Sequence, residues 1–158
     1  MIRITIAKPG DRDLLLCMQR VCLPADDSAD PRRGEWLVGR TPKGTPVCFS
    51  GGYTYRSSGE AAFIVSRQGV IPSHRGLRLQ KRLLQLTCRR AAELGLPEVW
   101  SYTSLANVAS ANSFIAAGFR LWVPAHWHDH DDAADSAPHP TATAAPTQFL
   151  YWRKQALK

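Results

Sequence analysis

The chain predicts an α/β domain built on one mixed sheet, and three observations carry that prediction. Seven short strand-like runs are punctuated by Gly and Pro turns, and three longer segments space their apolar residues as helices do. The two kinds of segment follow the order β, α, βββ, α, β, α, ββ, the pattern of helices packed on a sheet. At 158 residues the chain suits a single domain, 1–158, and a domain of that length buries roughly 70% of the surface its unfolded chain exposes.

Each element has its own signal. In 1–8, Ile2, Ile4 and Ile6 alternate with Arg3, Thr5 and Ala7, the period of a half-buried strand. Segment 11–21 brings Leu14, Leu15, Met18 and Cys22 to helical spacing, with Pro9 and Gly10 before it and Pro24 after it. The polar stretch 26–34 reads as a short helix or a loop. Segments 36–40, 47–55 and 61–70 form a three-stranded meander, turning at Pro42, Lys43 and Gly44 and again at Ser57, Ser58 and Gly59. The strongest helix is 77–94, where Leu79, Leu83, Leu84, Leu86, Cys88 and Ala91 share a broad apolar face that Gly95 and Pro97 terminate. Segment 99–103 is a strand, Asn107 caps a helix that Gly118 ends, and 119–123 and 148–152 close the sheet. Between those last two strands, 124–147 is rich in Ala, His, Asp, Pro and Thr without apolar period; it reads as a flexible loop centred on about 125–146.

Composition narrows the function. The formal charge of +7 suits an anionic ligand without choosing among polyphosphate, nucleic acid and an acidic surface. No segment approaches the ~20 consecutive apolar residues a membrane span needs, and 1–8 lacks the apolar run of a signal peptide, so a soluble, cytoplasmic protein without membrane partners is expected. Cys17, Cys22, Cys48 and Cys88 show no paired spacing, which reads as reduced thiols and no structural zinc.

The most informative conflict lies at the start of the central helix. Arg75, Arg78, Lys81 and Arg82 crowd its first turns, where positive charge opposes the helix dipole by about 0.3–1 kcal/mol per group. A bound anion resolves the conflict, because unpaired N–H groups at a helix start flanked by cations form a phosphate site.

The stretch Val70-Ile71-Pro72-Ser73-His74-Arg75-Gly76-Leu77-Arg78-Leu79-Gln80-Lys81 resembles the acetyl-CoA signature of the GNAT acetyltransferase family: a strand, a Pro, then Arg or Gln followed by x-x-Gly-x-Gly or Ala. Asn107 to Phe119, with Phe114 and Gly118-Phe119, is similar to the second family motif. The resemblance runs from the first strand to Trp152 and implies the GNAT acyl-CoA N-acyltransferase fold, a mostly antiparallel mixed sheet of about seven strands flanked by helices. It implies that backbone amides of Arg75, Gly76, Leu77, Arg78, Leu79, Gln80 and Lys81 hold the diphosphate of acetyl-CoA. It further implies that the strand edge Gln68, Val70 and Ile71 pairs with pantetheine, and that Asn107, Asn112 and Phe114 contact the cofactor. Gly69 is the expected bulge position. The sequence departs from the family at Arg78 and Gln80, which replace both loop glycines, and at Phe114, where many members carry a tyrosine that protonates the leaving thiolate. A side chain at 78 is tolerated if the backbone there is helical.

Transfer to an amine by direct attack requires a neutral nucleophile, a polarised carbonyl and an outlet for charge on sulfur. Glu60 is the first candidate base, with His74 and Glu35 behind it; Tyr102, Ser110, Ser113 and Tyr151 are candidates to assist the thiolate. The acidic groups Asp26, Asp27 and Asp30 and the run His126 to Asp132 suit a cationic acceptor, a primary amine of a small molecule or a protein. Alternating histidines in that run lack a rigid support, so no metal is assigned. Two other functions stay open: a non-catalytic acyl-CoA-binding module and, through Arg67, Arg75, Arg78, Arg82, Arg89 and Arg90, a nucleic-acid binder that lacks a groove-reading motif. A homodimer is also compatible with the sequence.

Overall fold

The computed structural model of the chain describes residues 1–57, 59–123 and 149–156. Ser58 of the second meander turn and the segment expected to form the long loop lie outside the described residues. Among the described residues seven strands form one sheet, β1 (Arg3–Ile6), β2 (Glu35–Arg40), β3 (Pro46–Ser57), β4 (Glu60–Val70), β5 (Glu98–Ser104), β6 (Arg120–Leu121) and β7 (Phe149–Gln155). Their order is β1-β2-β3-β4-β5-β7-β6, antiparallel throughout except for β4 beside β5. A parallel pair needs a crossover, which α2 (Leu79–Glu93) supplies. The other helices are α1 (Arg12–Cys22) and α3 (Val108–Ala116). Among the described residues, no helix is long and apolar enough to cross a membrane.

Alternation along the strands sends the helices to opposite faces. Phe49 of β3 joins Trp36 and Val38 of β2 against Leu15 and Met18 of α1, whereas its neighbours Cys48 and Ser50 face Leu83 and Thr87 of α2. On that second face Leu84, Cys88 and Ala91 pack with Phe63, Val65, Val99, Phe114 and Trp152 into the largest core cluster. Segment 26–34 contains no helix; it is a loop held by Gln19, whose buried carboxamide exchanges two 2.9 Å hydrogen bonds with the backbone of Ala29. Gly95 and Gly118 take positive φ where α2 and α3 end, as their positions in the sequence require.

The central helix begins two residues later than its apolar pattern suggests. Arg78 adopts a left-handed backbone, φ 56° and ψ 23°, and so stands as the N-cap outside α2, while Leu77 before it is exposed. The expectation of a helical backbone at 78 is therefore wrong.

The feature that creates the site is a register shift in β4. Gly51 pairs with Arg67 but Gly52 pairs with Val65, so Ser66 is the extra residue of a β-bulge. The bulge is thus not at Gly69, which pairs normally with Phe49. Glycine is needed at 69 for a different reason: a Cβ there would lie 2.6 Å from Cys22 Cβ and 2.7 Å from the Phe49 ring, so only glycine lets the end of α1 rest against β4. Pairing between β4 and β5 stops at Val65 and Ser101, one residue short of the bulge, and β5 continues through Tyr102, Thr103 and Ser104 with β7 alone. Ser101 Oγ donates to the Val65 carbonyl at 3.0 Å and so satisfies a backbone acceptor at the fork. Beyond it the two strands part.

Candidate acyl-CoA site

The parting of β4 and β5 leaves the last residues of β4 without a strand partner on that side, where Arg75 Nε donates to the Val70 carbonyl at 3.3 Å. Ile71 N donates to Val47 O at 3.0 Å, so the alternate residues Gly69 and Arg67 also direct their backbone groups toward β3. Gln68 and Val70 consequently direct theirs toward the opening. A cleft of about 460 Å³ lies along this edge and leads to the start of α2.

The far end of the cleft is a concentration of unpaired donors. Arg75 N donates to Pro72 O and Arg82 N to Arg78 O, but the amides from Gly76 to Lys81 have no backbone partner among the described residues. They include the three amides of the first turn of α2, which any helix leaves unsatisfied. Arg75 and Arg78 are exposed and line the same space, beside His74 and Gly76. Arg82 is not part of this group, because its Nη2 donates to the Ile2 carbonyl at 3.1 Å and ties down the first strand.

The third wall is α3. Asn107 caps it, its Oδ1 accepting from Ser110 N at 3.1 Å, and Ala109, Ser110 and Ser113 face the cleft. Gln80, standing where the signature has its second glycine, donates through Nε2 to Ser110 Oγ at 2.9 Å and braces α2 against α3.

Of the contacts expected from sequence, Gln68, Val70, Arg75, Gly76, Arg78, Leu79, Gln80 and Asn107 line the cleft, as does Ser110. The rest are placed elsewhere. Ile71 packs between two core clusters, Leu77 and Asn112 are exposed outside the lining, and half-buried Lys81 also stays out of it. Phe114 is core: it is 3% exposed, stacks on Trp152 at 5.6 Å and meets Phe119 edge-on at 5.0 Å. Glu60 sits exposed at the hairpin end of β4 opposite Ser57, six residues and therefore roughly 20 Å along the strand from Ser66, too far to act as a base in the cleft. Glu35 is held by Arg90 Nε at 2.9 Å. Tyr102 is the first residue of β5 beyond the fork and hydrogen-bonds the Arg67 side chain; burial raises its pKa against the opposing pull of that guanidinium.

Sequence reasoning missed Cys22, Leu23, Gly69 and Ala109, which also line the cleft. Cys22 and Leu23 arrive from the end of α1, and no local pattern announces a contact made only by tertiary packing. Burial pushes the Cys22 thiol pKa up, with Arg75 pulling the other way.

Among the described residues no group of His, Cys, Asp or Glu could hold a metal ion, and His126 to Asp132 lie outside them. Of the arginines a nucleic-acid face would use, Arg67 is buried, Arg82 is committed to Ile2, and Arg90 is paired with Glu35 and Glu93.

A bulged β4, its divergence from a parallel β5 and a donor-rich helix start beneath the opening are the marks of the GNAT acyl-CoA N-acyltransferase fold, and solved structures bear that fold out. An acetyltransferase from Bacillus subtilis in complex with CoA superposes with a TM-score of 0.72 at 15% identity, covering 99% of this chain and 100% of the other. A GNAT-family acetyltransferase from Streptococcus pneumoniae gives 0.68 at 14% identity, covering 99% and 100%. A nourseothricin acetyltransferase gives 0.66 at 18%, covering 99% of each. Neither a family model nor a curated protein sequence matches the chain.

Proposed function

We propose that the chain is an acetyl-CoA-dependent N-acetyltransferase that passes the acetyl group directly to a primary amine, with acetyl-CoA as co-substrate and no metal. The observation that carries this reading is the continuity of one cleft, from the strand edge of Gln68 and Val70, which no neighbouring strand covers, to the unpaired amides at the start of α2. That run of donors suits a ligand with an amide-bearing arm ending in a diphosphate, as CoA is. The CoA complex of the Bacillus subtilis protein supports it by fold.

In this reading the diphosphate rests on the amides from Gly76 to Lys81, with Arg75 and Arg78 opposing its charge. The thioester lies at the fork near Ser66, where backbone N–H groups polarise its carbonyl. The amine nitrogen attacks that carbon, the carbon–sulfur bond breaks, and the amine releases its extra proton to water. Ser110 stays at the far end of the cleft, where its Oγ accepts from Gln80, so the departing thiolate is left to the backbone dipoles at the fork. The amine arrives from the side of Asp26 and Asp27, carboxylates that suit a cationic acceptor of a small molecule or protein. With all four cysteines free, we place the protein in the cytoplasm.

A second reading, a non-catalytic acyl-CoA-binding module, draws on two observations. No carboxylate is among the described residues lining the cleft, and position 114 holds a buried ring instead of a phenol. Calorimetry with CoA and acetyl-CoA, followed by acetyl-CoA turnover with a panel of amines, separates the readings. Binding with turnover is expected; binding without turnover on any amine leaves the module, and no binding at millimolar ligand removes both.

Restoring a tyrosine by Phe114→Tyr is expected to harm the protein without helping the reaction. The ring is 3% exposed and packed by Phe119 and Trp152, so the added hydroxyl is buried, and an unpaired buried hydroxyl costs about 1–3 kcal/mol. Melting temperature should fall and turnover should not rise; faster turnover at unchanged melting temperature would show that the hydroxyl reaches the cleft.

A further inference from the structure

All four tyrosines of the chain stand on one face of the sheet. Tyr53 and Tyr55 of β3, Tyr102 of β5 and Tyr151 of β7 are half-buried around a floor of Ala62, Ile64 and Trp100, with Trp122 beside them. Ala62 and Ile64 alternate with Phe63 and Val65, which pack on α2, so the tyrosines share the face of α1. That helix packs on Trp36, Val38 and Phe49, and among the described residues no helix side chain joins the tyrosine cluster. A sheet face without a helix over it ordinarily turns polar side chains outward, and a run of rings in their place marks a binding surface. The far end of the face holds a cation of the protein's own, Arg153, 5.2 Å over the Trp122 ring. Tyr53, Tyr102 and Tyr151 stand at the other end, nearest the fork.

Strand register places these three rings around the point where transfer occurs. Tyr53 pairs with Ile64, one residue before the last β4–β5 pair, and Tyr102 follows Ser101 at the fork and pairs with Tyr151. The charges of Asp26 and Arg67 both act on the Tyr102 phenol, so a carboxylate borders the same rim. A ligand resting on three phenol rings is flat and largely apolar, and its ammonium end belongs beside the carboxylate. Arg67 restricts the choice further: among the described residues its buried guanidinium is met only by carbonyls and the Tyr102 side chain, so the second ammonium of a polyamine is repelled there. Resting on the acetyltransferase reading, we propose that the acceptor is an arylalkylamine, a primary amine on a short chain from an aromatic ring, whose ring lies against Tyr53, Tyr102 and Tyr151 while its nitrogen reaches the fork. An aliphatic amine fills the same space without the ring-on-ring contact, which is worth roughly two- to tenfold in affinity.

Steady-state acetylation by the full chain with acetyl-CoA compares phenethylamine and tryptamine with n-hexylamine, which has no ring, and with spermidine. The kcat/KM for the two ring-bearing amines is expected to exceed that for n-hexylamine by about tenfold, chiefly through KM. Tyr151→Leu should erase the difference and Tyr151→Phe should keep it, because the ring and not the hydroxyl makes the contact. Tyr53→Leu, on another strand, should act as Tyr151→Leu does. Calorimetry with CoA accompanies each variant, and a Kd equal to that of wild type separates a lost ring contact from a damaged fold. Wild-type protein that acetylates n-hexylamine or spermidine as well as the ring-bearing amines overturns the proposal, as does a ring preference that survives both leucine variants. Those results leave the acetyltransferase reading standing, whereas wild-type protein that acetylates no amine overturns the two together.

Discussion

Replacing Arg78 by glycine is expected to make the free protein more stable and its hold on CoA weaker. Arg78 has a left-handed backbone, φ 56°, which costs a residue with a Cβ about 1–2 kcal/mol. Glycine removes that strain but returns roughly 0.5–1 kcal/mol through its greater freedom in the unfolded chain, so the net gain is about 0.5–1 kcal/mol. At 2–4 °C per kcal/mol for a domain of this size, the melting temperature should rise by about 1–4 °C. Arg78, however, lines the cleft next to the unpaired amides at the start of α2. A hydrogen bond to a charged group is worth about 1.5–3 kcal/mol, so the Kd for CoA should rise roughly tenfold to a hundredfold at low salt, with a smaller gap at high salt. Melting curves and calorimetry at two salt concentrations check both signs. A variant that melts lower while binding CoA as before would show that the backbone is unstrained there and the side chain makes no contact.

Arg67→Met is expected to cost about 3 kcal/mol of folding stability, a fall of roughly 6–12 °C in melting temperature. Arg67 is 4% exposed, and its guanidinium spans three parts of the fold. Nε and Nη2 donate to the Asp27 carbonyl at 3.1 and 2.8 Å, Nη1 donates to the Ser66 carbonyl at 2.8 Å, and the Tyr102 side chain shares it across the fork. A methionine fills part of the volume and leaves those acceptors without donors. Arg67→Lys should recover only part of the loss, since one ammonium cannot serve three separated acceptors in the fixed directions of a guanidinium. Chemical denaturation of the three proteins measures the difference. Equal stability of wild type and the methionine variant would mean that water satisfies the same carbonyls and that Arg67 does not hold the fork together.

Most of the elements were legible because each has a local cause. The alternation of Ile2, Ile4 and Ile6, the apolar face of α2 and the Asn107 cap depend on residues close in sequence, and their elements appear near the expected bounds. The crowding of cations at the start of α2 was legible for the same reason: it conflicts with the helix dipole within a single turn. The misplacements share the opposite cause. The bulge at Ser66 is set by how β3 meets β4, Gly69 is fixed by the approach of Cys22 from α1, and Phe114 is drawn into the core by Trp152 from the far end of the chain. Glu60 fails as a base because strand length, not residue type, carries it away from the fork.

By itself the sequence determined the α/β class, the order of its elements and the cationic character of the start of α2, since periodicity and helix-end electrostatics act over a few residues. Only the tertiary structure decided where β4 and β5 separate, which side chains border the opening and which are sealed in the core. Those outcomes depend on backbone hydrogen-bond register and close packing between segments distant in the chain, and no local pattern of residues encodes either.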